Sequence, residues 1–242
     1  MFAIIKIKNG WAEAIACLNP KKSIAEVCNK MDTEKNIGGR DHWHKIYNTK
    51  NEEELSWFQK YPATSMKFIH SLNLDLNSKI IDIGSGDGRF IEALMEEGYR
   101  DITGLDISEA AIKRAKKRLG EKSETTRWIA SDILYFEPLT KYDFWHDRAT
   151  FHFLINEEEI DRYISIAERA IKPNGYLILG TFSEQGPKKC SGLEITQYSE
   201  LSLTKKLEDG FEKLHCSNED HITPGGTVQN FLFCSFKKKS II

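Results

Sequence analysis

Lys79-Ile80-Ile81-Asp82-Ile83, running straight into Gly84-Ser85-Gly86-Asp87-Gly88-Arg89-Phe90, decides the fold. The first five residues are rich in β-branched side chains and predict a short strand. Three glycines then let the backbone turn tightly and let another molecule approach the main chain. From Gly88 to Glu97, Phe90, Ile91, Leu94 and Met95 share one helical face. Strand, glycine loop and helix in that order open a parallel α/β unit. Further along, Asp101–Leu105 predicts a second strand. Ser108 caps a helix bearing Ala111, Ile112, Ala115 and Leu119. Arg127–Ala130 and Tyr142–His146 predict strands three and four. Glu157–Ile171 is helical by period and stops at Pro173-Asn174-Gly175, before a fifth strand over Tyr176–Thr181.

Such alternation predicts a parallel sheet with helices on both faces. The tail differs. After a helix near Ser199–Glu208, Phe211–Cys216 and Val228–Phe236 are strands joined without a helix, so they form an antiparallel hairpin. Upstream, residues 1–40 form an extension of no assigned role, ending in Asn36-Ile37-Gly38-Gly39. Residues 41–78 predict a helical cover, with Asn51 and Glu54 as a capping pair, and 79–242 the core.

The 242 residues carry 34 Lys and Arg against 36 Asp and Glu, for a net charge of −2. That balance leaves no footprint for non-specific binding to nucleic acid. No apolar run approaches the roughly 18 residues that cross a bilayer. The five cysteines contain no Cys-x-x-Cys pair, so neither a disulfide scaffold nor a structural zinc site is expected. No leader is evident at the start, and a reducing cytoplasm is the expectation.

The chemistry concentrates at the ends of the first three strands, where ligands bind in open α/β sheets. The loop spacing is Gly-x-Gly-x-Gly, and acids sit at Asp82 and Asp87. A pyrophosphate there would be repelled, by about 1–4 kcal/mol per close pair. A cationic ligand would be attracted. S-adenosylmethionine carries a sulfonium and an ammonium and no phosphate. Asp106, ending strand two, suits the two hydroxyls of a ribose, and Asp132, after strand three, an adenine amino group.

Ile80–Phe90, Gly104-Leu105-Asp106-Ile107-Ser108, Ala130-Ser131-Asp132-Ile133 and Lys172-Pro173-Asn174-Gly175-Tyr176 resemble the successive motifs of class I S-adenosylmethionine-dependent methyltransferases. The resemblance runs from about Asp41 to Lys239. It implies a Rossmann-like seven-stranded sheet with an antiparallel last strand, and S-adenosylhomocysteine as product. It also implies that Asp82, Gly84, Ser85, Gly86, Asp87 and Gly88 hold the methionine end, Asp106 with Ile107 the ribose, and Asp132 with Ile133 the adenine.

A narrower likeness concerns Phe144-Trp145-His146-Asp147-Arg148-Ala149, which is similar to the Trp-Asp-Arg-Gly-Ala segment of thiopurine-type methyltransferases. His146 is inserted in it, and Ala149 replaces the glycine. Trp43-x-x-x-Tyr47 resembles that group's Trp-x-x-x-Trp cover. This likeness implies that Trp43, Tyr47, Asp147 and Arg148 line the cofactor or acceptor side. Packing of Trp43, Tyr47 and Trp57 on the sheet is the competing explanation.

Methyl transfer needs an in-line approach in a dry pocket, and a base only where the acceptor is protonated. His146, Asp147 and His152 are the candidate bases, and His152 is the first choice. The long segment Ser183–Tyr198 is expected to be an acceptor lid. A small-molecule acceptor is expected, with protein lysine as the alternative. A cofactor-binding module without turnover and a nicotinamide oxidoreductase complete the alternatives. The acceptor atom and the oligomeric state are not readable from the chain.

Overall fold

The computed structural model describes residues 39–240, and the extension expected over 1–40 lies outside them but for its last two residues. Seven strands form one sheet: β1 (Lys79–Ile83), β2 (Asp101–Asp106), β3 (Arg127–Ala130), β4 (Tyr142–Arg148), β5 (Ile171–Phe182), β6 (Phe211–Ile222) and β7 (Val228–Lys238). Their order is β3-β2-β1-β4-β5-β7-β6. The first five are mutually parallel, and β7 runs antiparallel between β5 and β6. The terminal hairpin expected from the sequence is therefore present. The order reverses between β1 and β4, which opens a crevice at their carboxyl ends.

Six helices flank the sheet: α1 (39–49), α2 (Ala63–His70), α3 (Arg89–Glu96), α4 (Glu109–Leu119), α5 (Glu157–Ala170) and α6 (Glu200–Leu207). Strand alternation sorts the core into two layers. Ile81 and Ile83 of β1 and Trp145 of β4 are buried with Tyr163, Ala167 and Leu203 of α5 and α6. Ile80 and Phe144 turn the other way, onto Phe68 and Ile69 of α2 and Phe90 and Leu94 of α3. The same alternation sends Asp82 and its β4 neighbour His146 to the α2–α3 face.

The expected caps form. Ser108 Oγ accepts from Ala111 N–H at 3.3 Å, and Glu54 accepts from Asn51 N–H at 2.7 Å. β4 runs on to Arg148, β5 begins at Ile171 rather than Tyr176, and two further expectations need correction. β6 continues to Ile222, six residues beyond Cys216, because an edge strand tolerates the polar run Ser217-Asn218-Glu219-Asp220. Cys216 and Cys234 are disulfide-bonded, being direct partners in the β6–β7 register. The bridge ties one hairpin and is no scaffold.

Candidate active site

The loop after β1 has the strain its sequence announced. Gly84, Gly86 and Gly88 take φ of 65°, 52° and 70°, the left-handed region. Gly86 also has no room for a side chain, since a Cβ there would stand 2.8 Å from the Tyr47 hydroxyl. Helix α1 thus lays Tyr47 directly over the loop. Trp57 meets both Tyr47 and Trp43 edge-on, at 6.1 and 5.6 Å between centroids, and Trp43 meets Phe153 at 5.0 Å.

One cleft is lined by Tyr47, Asp82, Gly84, Ser85, Gly86, Asp87, His146 and Arg148 of the residues singled out from sequence. The acids in it are engaged already. Asp82 Oδ1 accepts from His146 Nδ1 at 2.7 Å, while His146 Nε2 lies 2.8 Å from Ser65 Oγ. The imidazole stacks on Phe90 at 3.9 Å. No hydrogen bond reaches Asp82 Oδ2 among the described residues. Asp87 is ion-paired with Arg114 at 2.9 Å. The charge that the sequence reading placed on the loop is therefore partly neutralised, by a helix-α4 residue that reading passed over.

Asp106 accepts from Gly86 N–H through Oδ2 and from Ser108 N–H through Oδ1, each at 2.8 Å. It couples the end of β2 to the glycine loop. Burial raises both Asp87 and Asp106 to about 6, Arg114 opposing the rise at Asp87 and the two N–H bonds opposing it at Asp106. Asp132 caps the turn over Ile133–Tyr135 by accepting from Leu134 N–H at 2.9 Å. Ile133 is buried in the α5 layer, and Ile107, after β2, is partly buried.

Asp147 is not brought to the cleft. Its carboxylate lies on the opposite face of β4, accepting from Tyr163 Oη at 2.6 Å and from Thr150 and Phe151 N–H at 2.9 and 3.2 Å. Odd and even residues of a strand face opposite ways, so Asp147 and the two cleft residues flanking it in sequence are separated. His152 is fully buried, stacked on Phe182 at 4.6 Å, with Nδ1 accepting from Phe182 N–H at 3.3 Å. Burial, aided by Arg148, pushes it down to about 3. So weak a base takes up no proton at neutral pH, and its one lone pair is already engaged by Phe182 N–H, so the role first assigned to His152 does not fit its surroundings.

The segment after β5 folds as a small hairpin, Lys189–Cys190 against Leu193–Glu194, turning on Ser191 and Gly192 at φ of 51° and 84°. Cys190 is buried there, and burial pushes its thiol up to about 11. It is no reactive thiolate. From the far side, His221 of β6 approaches Ser56 O to 2.7 Å through Nε2. The terminal hairpin thereby touches the segment that follows α1.

Residues 74–232 match a family described as a methyltransferase domain. The chain belongs to that family. It is 26% identical over 166 residues to the eEF1A lysine and N-terminal methyltransferase of Mus musculus, covering 65% of this chain and 24% of that protein. The chain thus spans about a quarter of that relative's length. It is 30% identical over 184 residues to malonyl-[acyl-carrier protein] O-methyltransferase 2 of Ilyobacter polytropus, covering 72% of this chain and 69% of the other. In fold it is similar to the N-methyltransferase NodS of Bradyrhizobium japonicum, solved with S-adenosylhomocysteine. The TM-score is 0.63 at 19% identity, covering 81% of this chain and 98% of that one.

Proposed function

We propose that this chain transfers a methyl group from S-adenosylmethionine to a small-molecule acceptor enclosed between the sheet, the aromatic cover and the two hairpins. The observation that carries the reading is the roof: Trp43 contacts Trp57 and Phe153, and His221 reaches Ser56 O. Protein lysine is the second reading, favoured by the likeness to lysine methyltransferases.

The cleft suits the donor. Ser85 Oγ is buried without a partner, and Asp82 keeps one oxygen uncommitted for an ammonium. When bound, the donor supplies an electrophilic methyl group on a sulfonium. Gly84–Gly88 would hold the methionine end, with Asp106 and Ile107 at the ribose and Asp132 and Ile133 at the adenine. Trp43 and Tyr47 would exclude water from above, and positioning would do most of the chemistry. His146 holds Asp82 in place rather than acting as a base.

To test the acceptor class, the full chain is incubated with a cell lysate and donor labelled in its methyl group. Label is expected in the low-mass filtrate. Label confined to protein bands would establish the lysine reading instead.

Acidity supplies a second test. Asp106 lies at about 6 in the folded chain against about 4 unfolded, so folding takes up its proton between those values. Its contribution to stability is full below about pH 4 and is lost as pH rises through 6. Ribose hydroxyls favour the ionised carboxylate. Binding of S-adenosylhomocysteine should therefore release protons near pH 6. Its dissociation constant should rise on acidification below 6, by up to about tenfold per pH unit. Calorimetry in buffers of different ionisation enthalpy reads both effects, and a pH-independent affinity would remove Asp106 from the ribose.

A further inference from the structure

Arg148 is left unfinished on the cleft wall. Its Nη1 donates to Trp57 O at 3.0 Å, and its guanidinium carbon lies 5.0 Å from the centre of the Phe231 ring. Nη2 is buried with no partner. Among the described residues no carboxylate pairs with this guanidinium, although every other arginine of the cleft and its margin has one: Arg89 with Glu52, Arg114 with Asp87, Arg118 with Glu92.

The ionisable groups around it are mostly not acids. Cys190 on the Lys189–Glu194 hairpin, His152 after β4 and His221 on β6 feel its charge, and Asp82 alone is an acid. His152 adds a second unfilled donor. Because its Nδ1 accepts a hydrogen bond, the ring proton sits on Nε2, and that atom is buried without a partner. A buried cation with an empty donor is costly unless a ligand supplies the acceptor.

We propose that the acceptor is an anion, a small molecule bearing a carboxylate or a phosphate, whose charged group is received by Arg148. The donor's own carboxylate is the other source of that chemistry. The acceptor is favoured because three of the four ionisable neighbours of Arg148 belong to the Lys189–Glu194 hairpin, the turn after β4 and β6, all outside the glycine loop. The inference rests on the methyl-transfer reading and adds the acceptor's charge. A lysine ammonium would be repelled there.

The test uses the full chain saturated with S-adenosylhomocysteine, with calorimetric titration of matched pairs. The pairs are phenylacetate against phenylacetamide, indole-3-acetate against indole-3-acetamide, and phenyl phosphate against phenol. At least one anion is expected to bind tenfold or more tightly than its neutral twin. Arg148→Gln should erase that preference, and Arg148→Lys should keep part of it, while both bind S-adenosylhomocysteine as the natural chain does. No anion preference in any pair overturns the proposal. So does a tenfold loss of S-adenosylhomocysteine affinity in an Arg148→Gln chain that melts normally, which would assign the residue to the donor. A natural chain that fails to bind S-adenosylhomocysteine at all would instead sink the methyl-transfer reading.

Discussion

Asp106→Ala should weaken S-adenosylhomocysteine binding by about 100-fold or more. Two charge-assisted hydrogen bonds to a ribose, each contributing about 1.5–3 kcal/mol, sum to about 3–6 kcal/mol, and about 1.4 kcal/mol is tenfold. The same substitution strips the acceptor from Gly86 N–H and Ser108 N–H, so the loop relaxes as well. Each orphaned buried N–H costs about 1–3 kcal/mol, which makes a lower melting temperature part of the expectation. Asp106→Asn separates the two effects. It keeps one acceptor oxygen and nearly the same shape, so its fold should survive while affinity falls. Calorimetry on a variant of normal melting temperature decides the matter, and undiminished affinity there would place the ribose elsewhere.

Gly86→Ala should both destabilise the chain and damage donor binding. Its φ of 52° costs a residue with a Cβ about 1–2 kcal/mol. The new methyl also collides with the Tyr47 hydroxyl, which has little freedom to retreat. Tyr47 is only 7% exposed, wedged against Trp57, with the Arg114 guanidinium 5.3 Å above its ring. A melting temperature lower by about 3–8 °C is expected for a domain of this size, with affinity reduced tenfold or more. Gly226→Ala is the control. Its φ of 80° is also left-handed, but nothing stands within 4 Å of the added carbon. Equal losses in the two variants would mean that contact with Tyr47 contributes nothing.

The fold was legible because β1 and its loop combine two strong local signals, a β-branched run and closely spaced glycines. The acids at the strand ends followed from the same topology. What the sequence hid was direction and partnership. Asp147 reads as a cleft residue until β4 is seen to continue through Arg148, and until α5 is seen to bring Tyr163 beneath it. Arg114 is one more cation on an amphipathic helix until α4 docks against Asp87. The bond between Cys216 and Cys234 needs the β6–β7 register, which no spacing rule supplies. His152 illustrates the limit of residue type: a histidine beside a cleft suggests a base, and only its burial against Phe182 shows otherwise.

The strand β4 carries His146 and Arg148 on one side and Trp145 and Asp147 on the other. A side-chain period of two makes such a strand sensitive to length as well as to identity. Losing a single codon at position 146 would swap the two faces for every residue on one side of the deletion. A carboxylate would then point at the acceptor and a guanidinium at the α5 interior, or the strand would slide in its frame to avoid it. Substitutions along β4 are therefore survivable in a way that insertions and deletions are not, and lineages carrying this histidine should hold the length of the segment fixed.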